Sequence, residues 1–440
     1  MDSMDRALVV GFGQAGTSMT RQLLARGIDV VVLDDHPTGA SRATAAELGV
    51  EYLTDVDVAT LIAACDMVSP SPGVPVGHPA IQAALATGVP VWSEFELAAE
   101  WDDRPVVAVT GTNGKTTVVT LVASMLERSG RAIVAAGNNE LPLVDALDDA
   151  SVELFVVEAS SFRLRFTERF RPRVGTWLNL APDHLDWHPS MDDYAAAKAR
   201  LWAAQRGDDL AIGNADDAAV AKHLADAPAR QATFGVVAAD ADWHVTGGAL
   251  VAPGGNAIVL VDELPRHLPH DISNALAAVA TAMSAGASAD ACAGVLRSFA
   301  GLPHRVQLVR DAGGVRWYDD SKATTPASVA TAVSAFDSVV LIAGGRNKGL
   351  DLGGLRALAG RVRAVIAIGE AAPAVAAAFE GAVPVVAAPS MDGAVASAAE
   401  LAQPGDAVLL SPGCASYDWY RNYAERGDDF ARAVHALAAP

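Results

Sequence analysis

Cysteine is scarce in this chain: three in 440 residues, Cys65, Cys292 and Cys414. A small, odd and scattered set argues against a disulfide framework and a zinc site, and fits a reducing compartment. Positive charge is short too. Lys and Arg number 32 against 52 Asp and Glu, a formal net charge of −20. Such a field repels nucleic acid and anionic membranes, so neither is expected as a partner. An anionic small ligand must instead be held by local positive features. No apolar run approaches the roughly 20 residues a membrane helix needs; "SVVLIAGG" is among the longest. The opening "MDSMDRALVV" lacks a basic region followed by an apolar one, so no signal peptide is expected. A cytoplasmic protein without membrane insertion is the expectation, and a monomer.

What is present is a chain 51% hydrophobic, able to bury a core in each of roughly two to four domains. Strands alternate with helices throughout, which indicates parallel sheets covered on both faces. In residues 1–94, "RALVVGFG" and "DVVVLDD" read as strands around the helix "QAGTSMTRQLLARG". There "VPVWSE" also reads as a strand. Residues 95–301 open on "RPVVAVTGTNGKTT" and hold a glycine-rich, alternating stretch, "ADWHVTGGALVAPGGNAIVLVDE", read as a small antiparallel excursion. Residues 302–440 repeat the strand–helix rhythm. The predicted fold is α/β in three domains: a Rossmann-like parallel sheet, a P-loop ATPase-type domain with an antiparallel excursion, and a second Rossmann-like domain.

"VTGTNGKTT" carries the strongest chemistry. A strand, a glycine turn and a helix N-terminus make an anion site of backbone N–H groups and helix dipole. Gly111 and Gly114 allow close approach, Lys115 can reach terminal phosphates, and the Thr116 hydroxyl suits Mg²⁺. Two residues separate the glycines where the general P-loop has four, so this is a shortened version. "GFGQAG" (Gly11, Gly13, Gly16), followed by Asp34 and Asp35, has the dinucleotide spacing. A nicotinamide cofactor, another nucleotide-bearing ligand, or plain helix packing would each account for it.

Glu158, at the end of "ELFVVEAS", sits where a P-loop fold commonly serves Mg²⁺, or is a satisfied acid. "NLAPDHLDWH" gathers Asp183, His184, Asp186 and His188 after another strand, as a site or as a solvated loop. Lys198 in "YAAAKARLW" reads, on physics alone, as a surface lysine of a helix. "DDSKATT", "GGRNKG" and "SPGCASYDWYRNY" follow apolar runs in the last segment and suggest an oxyanion-binding face.

Taken in order, "GTNGKTT", "NLAPDHLDWH", "YAAAKARLW", "GLPHR", "DDSKATT" and "SPGCAS" resemble the muramyl (Mur) ligase family of ATP-dependent amide-forming enzymes, along essentially the whole chain. The resemblance implies a ligase that joins D-glutamate to UDP-N-acetylmuramoyl-L-alanine through an acyl phosphate. The first domain would then bind the acceptor's uridine diphosphate, through Gln14, Ala15, Asp34 and Gly73, with Asn138 from the second. Gly111, Thr112, Asn113, Gly114, Lys115, Thr116 and Thr117 would hold ATP, joined by Asn274, Arg305 and Asp320. Thr116, Glu158, His184 and Lys198 would serve two Mg²⁺ sites, Lys198 as a carbamate formed with CO₂. Lys115, His184 and Lys198 would carry the chemistry, with His184 claimed both as metal ligand and as base. Lys322, Thr324, Lys348, Ser416 and Tyr423 would hold D-glutamate. Closure of the third domain would exclude water from the acyl phosphate.

Six residues at four sites depart from the family pattern: Asp271 in "HDISNA", Thr325–Pro326, Asn139–Glu140, and Tyr423 for a common Phe. The rivals are a ligase for L-glutamate or another amino acid, including a folylpolyglutamate synthase-like enzyme; an NAD-dependent oxidoreductase using "GFGQAG"; and a nucleotide-binding switch without turnover.

Overall fold

The computed structural model describes residues 4–138, 141–185 and 187–437. It divides into two compact units: one reaches to His267 and takes in Asp271–Phe299, the other holds Leu268–His270 and continues from Ala300. No described helix is long and apolar enough to cross a membrane.

The first unit contains two sheets. Strands β1 (Arg6–Val10), β2 (Asp29–Leu33), β3 (Glu51–Leu53) and β4 (Met67–Pro70) form a parallel sheet in the order β3-β2-β1-β4. The first two are valine-rich runs buried on both faces, as helix-covered parallel strands must be. "VPVWSE" is not a strand. Only Val91 bridges to Val68, and the chain then turns into the helix Glu94–Trp101. Pro90 interrupts the run and has no N–H to donate to a ladder.

The larger sheet comprises β5 (Val106–Thr110), β6 (Ile133–Gly137), β7 (Leu154–Glu158), β8 (Val174–Trp177), β9 (Leu210–Asn214), β10 (Arg230–Gly235), β11 (Trp243–Thr246), β12 (Ala249–Ala252) and β13 (Asn256–Leu260). Their order is β13-β12-β11-β10-β9-β8-β5-β7-β6. Pairing is parallel as far as β11, and β11-β12-β13 close as antiparallel hairpins, the expected excursion. Register decides where the chemistry goes. Val109 pairs with Glu158, Thr110 with Trp177, and Gly137 with Glu158. The carboxyl ends of β5, β6, β7 and β8 are thus level, and the loops leaving them converge. The helix Lys115–Arg128 packs on this sheet through Val118, Leu121, Val122, Met125 and Leu126, one face at helical spacing.

In the second unit, β14 (Gln307–Ala312), β15 (Val315–Asp319), β16 (Val339–Gly344), β17 (Val362–Ile368), β18 (Val385–Ala388) and β19 (Ala407–Leu410) stand in the order β14-β15-β19-β16-β17-β18. The sequence reading of a uniform strand–helix rhythm misses the first hairpin. β14 and β15 are antiparallel across Gly313–Gly314, both at positive φ, the turn that matches strand twist. The other four strands and β15 are parallel neighbours.

Candidate active site

The loop between β5 and the helix Lys115–Arg128 is braced from its neighbour. Asn179 Oδ1 accepts from the backbone N–H of Thr112 and Asn113 at 3.0 and 2.9 Å, and its Nδ2 donates to the Asn113 carbonyl at 3.1 Å. Gly114 has φ +88°, and a Cβ there would run into Asn274 Oδ1. The residue is glycine both for its left-handed backbone and because Asn274 lies against the loop. Asp271, one turn earlier, is engaged by Arg266 through two contacts of 3.1 and 3.3 Å, so its charge is compensated locally. Thr117 shares a small crevice with Arg266 and Asp271.

Lys115 Nζ donates to the carbonyls of Gly111 and Thr112, both at 2.9 Å. Lys198 does not lie on the surface. It is 1% exposed on the inner face of the helix Met191–Ala203, and its Nζ donates to the same Gly111 carbonyl at 2.8 Å. The Tyr194 ring lies 4.5 Å away. Burial, and then the nearby charge of Lys115, push the Lys198 amine well below the ordinary lysine value; Asp183 opposes this. Alanines at 195–197 gave no hint of this, because small residues suit a buried helix face as well as an exposed one.

Glu158 is 3% exposed at the end of β7. Its Oε1 accepts from Asn138 Nδ2 at 3.0 Å, while Oε2 is buried with no hydrogen-bond partner. An orphaned carboxylate oxygen beside a phosphate loop fits a divalent cation, which commonly takes one or two carboxylates and completes its shell with phosphate and water. Among the described residues no group of three or more His, Cys, Asp or Glu gathers as a metal cage. A cation here would therefore draw on hydroxyl, phosphate and modified-lysine oxygens. His184 has φ +54° and is 40% exposed in its side chain, with Nε2 3.4 Å from Asp183 Oδ2 and its ring 4.7 Å from that of Phe162. His188 is different. It is buried, its Nδ1 2.8 Å from Asp193 and its Nε2 3.0 Å from Ser161, and burial lowers its pKa. That geometry is structural. Asp186, Asn139 and Glu140 lie outside the described residues.

Gln14, Ala15, Asp34, Gly73 and Asn138 all line one cavity of about 690 Å³. Gly11, Gly13 and the N-terminus of the helix Gln14–Ala25 form one wall; Asp34, Asp35 and His36 another. Asp34 accepts from the Tyr52 hydroxyl at 2.5 Å and from the His36 N–H at 3.2 Å. Arg163, which the sequence reading did not single out, closes the cavity beside Asn138. Its guanidinium is bonded to Glu94 and to Asn138.

In the second unit the polar loops also leave the carboxyl ends of level strands. Asp319 of β15 and Ile342 of β16 both stand opposite Leu410 of β19. Lys322 Nζ lies 4.0 Å over the Tyr423 ring, and Thr324 follows on the same loop. Arg346 and Ala415 exchange both backbone bonds, which brings the Lys348 loop beside buried Ser416. Lys348 Nζ lies 5.6 Å from the Tyr417 ring. Asp320 accepts from Ser411 Oγ at 2.8 Å, and burial pushes its carboxyl up to about 7 despite the charge of Arg305. Arg426, buried behind the loop, donates to Ser321 Oγ, Ser321 O and Cys414 O. Burial brings its pKa down to about 10. "YAERGDDF" looks like an exposed helix, and only Gly427 hints at close packing there. The Thr325–Pro326 departure is a helix cap: Thr325 Oγ1 accepts from the Ser328 N–H at 3.3 Å, with proline in the first turn of Pro326–Ser334.

Comparison with known proteins covers these same regions. Residues 5–93 match the model described as Mur ligase MurD-like, N-terminal domain; 109–282 match Mur ligase middle domain; and 304–414 match Mur ligase, glutamate ligase domain. A UDP-N-acetylmuramoylalanine–D-glutamate ligase of Frankia casuarinae is 45% identical over 450 residues, covering 98% of this chain and 93% of its own. Its counterpart in Syntrophotalea carbinolica is 39% identical over 438 residues, covering 98% and 97%. The crystal structure of MurF from Acinetobacter baumannii superposes with a TM-score of 0.62 at 19% identity, over 98% of this chain and 90% of that one, a likeness of fold. These matches do not favour the oxidoreductase reading of "GFGQAG".

Proposed function

The chain belongs to the Mur ligase family, and on that premise we infer that it is the ATP-dependent ligase that joins D-glutamate to UDP-N-acetylmuramoyl-L-alanine in peptidoglycan precursor synthesis. The observation that carries the reading is a phosphate loop and a nucleotide-sized cavity meeting in one unit, with Asn138 lining the cavity and bonded to Glu158.

The acceptor's alanyl carboxylate attacks the γ-phosphate of ATP, giving an acyl phosphate and ADP. The amine of D-glutamate then attacks the acyl carbon, and phosphate leaves. This chain's part is positioning and charge neutralisation. The backbone N–H groups of Gly114–Thr117, at the start of the following helix, face the phosphates, while those of Thr112 and Asn113 are held by Asn179. Lys115, which now spends its ammonium on two loop carbonyls, exchanges them for terminal phosphate oxygens. Asn274 lies against the loop on the adenine side. Thr116, Glu158, His184 and, once carbamylated, Lys198 would hold Mg²⁺, which when bound would supply neutralisation of phosphoryl charge. His184 Nε2 lies 3.4 Å from Asp183 Oδ2, and the imidazole is assigned to the cation or to the amine proton.

We assign Gln14, Ala15, Asp34, Gly73 and Asn138 to the acceptor. In the second unit, Arg305 and Asp320 are assigned to ATP, and Lys322, Thr324, Lys348, Ser416 and Tyr423 to D-glutamate. Three free, buried cysteines support a reducing cytoplasm, and we propose a monomer.

The test is ADP release with the uridine acceptor present, scanned over D- and L-amino acids, in wild type and Lys115→Ala. Release with D-glutamate alone, lost in the variant, is expected. Turnover with a different amino acid, or none with any acid and amine, overturns the reading.

A further inference from the structure

We propose that Arg163 is the anion-receiving residue of the acceptor cavity: its guanidinium takes an anionic group of the acceptor and, through Asn138, ties that group's position to Glu158. The inference rests on the acceptor reading of this cavity.

The argument starts from charge. The acceptor carries a diphosphate and a carboxylate, and the protein carries −20. The cavity wall includes two acids, Asp34 and Asp35, and two histidines, His36 and His78. Among the described residues that line it, Arg163 is the one lysine or arginine. His78 is spoken for: its Nδ1 accepts from the Ala80 N–H at 3.1 Å, and its Nε2 faces Asp35 at 3.0 Å.

The side chain is built in rather than draped over the surface. Arg163 is 7% exposed, and its partner Glu94 is 1% exposed. Nε donates to Glu94 Oε2 at 2.7 Å, and Nη1 donates to Asn138 Oδ1 at 2.9 Å. Glu94 is itself fixed by the Leu143 N–H. A guanidinium has five N–H groups in a planar fork. The two bonds fix its plane and use two of the five N–H groups, and the residue lines the cavity. Asn138 cannot be flipped without aiming its amide nitrogen at the guanidinium and its oxygen at a carboxylate. The order Glu94–Arg163–Asn138–Glu158 is therefore set by chemistry. An anion on Arg163 lies one amide away from the carboxylate with the unpartnered oxygen.

Arg163 is a positioning residue, and its signature is affinity for the acceptor rather than for ATP. The experiment measures calorimetric Kd, without Mg²⁺ or ATP, for UDP, for the acceptor lacking alanine and for the full acceptor. The proteins are wild type, Arg163→Lys, Arg163→Gln and the double variant Arg163→Gln/Glu94→Gln. The double variant removes the Glu94 carboxylate that Arg163→Gln alone would leave buried without its cation, so it keeps the test valid should the single one fold poorly. Loss of a charge-assisted bond predicts roughly ten- to hundredfold weaker binding in both glutamine variants. Substantial retention in Arg163→Lys and unchanged ATP affinity are also expected. Equal loss for all three ligands makes the diphosphate the bound anion; loss for the full acceptor alone makes it the alanyl carboxylate. A folded double variant with unchanged Kd for every ligand overturns the proposal while leaving the ligase reading intact. Wild type that binds none of them overturns both.

Discussion

Lys115 and Lys198 donate to one oxygen, the carbonyl of Gly111, at 2.9 and 2.8 Å. Two ammonium groups on one acceptor repel each other, and the buried one gives way: burial and the charge of Lys115 hold Lys198 well below the ordinary lysine value. The two motifs, 83 positions apart by their residue numbers in the chain, thus form one electrostatic unit.

A neutral amine is what CO₂ requires. Amine and CO₂ give a carbamate and a proton, and at Lys198 the resulting anion would pair with Lys115 and with a divalent ion. With ¹³C-bicarbonate, wild type should show a carbamate carbonyl resonance that disappears in Lys198→Ala, and ligation should fall by at least two orders of magnitude in that variant. The resonance should also be lost as pH falls, because protonation of the amine removes the nucleophile. Full activity in protein stripped of CO₂ and bicarbonate would refute the assignment.

Glu158→Gln addresses the orphaned oxygen. The substitution keeps an acceptor for Asn138 Nδ2 and removes a buried charge whose Oε2 has no partner. Thermal stability without metal should rise, by about 1–3 kcal/mol, while the Mg²⁺ concentration that supports half-maximal ADP release increases at least tenfold. A variant that loses stability and keeps its metal dependence would make Glu158 a structural acid.

What could be read in advance follows a physical rule. The chain has five lysines among its 32 basic residues. Four of them, Lys115, Lys198, Lys322 and Lys348, stand in the motifs; only Lys222 does not. Arginine serves elsewhere, so lysine marks positions where a compact or reactive amine matters. The alternating pattern and the glycine turns made the α/β class and the β11–β13 excursion legible. Burial of Lys198 was not, because its flanking alanines fit either face of a helix. Asn179, Arg163 and Arg426 were missed for a related reason. Each acts through a backbone carbonyl or a partner distant in sequence, and a local window contains neither.

Gly427 tests the support behind the proposed amino-acid loops. It lies in the helix Tyr423–Ala436, and a Cβ there would collide with His304 Nδ1 and Asp319 Oδ2. Those two atoms are 2.7 Å apart, and the His304 carbonyl accepts from the Lys322 N–H. Gly427→Ala should therefore destabilise the chain by about 1–3 kcal/mol through overpacking, although alanine is the better helix former. KM for D-glutamate should rise more than KM for ATP. Gly393→Ala, in the helix Met391–Leu401, is the control: the new Cβ lies 3.3 Å from Ser390 Oγ and leaves that oxygen's cap bond from the residue's own N–H in place. Equal denaturation midpoints for the two variants would sink this account.

Asp320 gives a pH prediction of definite sign. Burial raises its carboxyl to about 7 from 3.8, against the hydrogen bond from Ser411. A carboxyl whose folded pKa exceeds its unfolded one binds more protons when folded. Its contribution is fully present below about pH 4 and is lost as pH rises through 7. A rise of roughly three pKa units is on the order of 4 kcal/mol, so wild type should weaken between about pH 4 and 7 relative to Asp320→Asn. That variant keeps a buried acceptor for Ser411 and never ionises. Urea midpoints of the two proteins should converge near pH 4 and separate in favour of the variant at pH 8. If Asp320 also serves ATP, as assigned, the stabler variant should be the poorer ligase, since function then depends on the charge that burial opposes. Parallel stability profiles across this range would mean that the carboxylate is solvated in the folded protein.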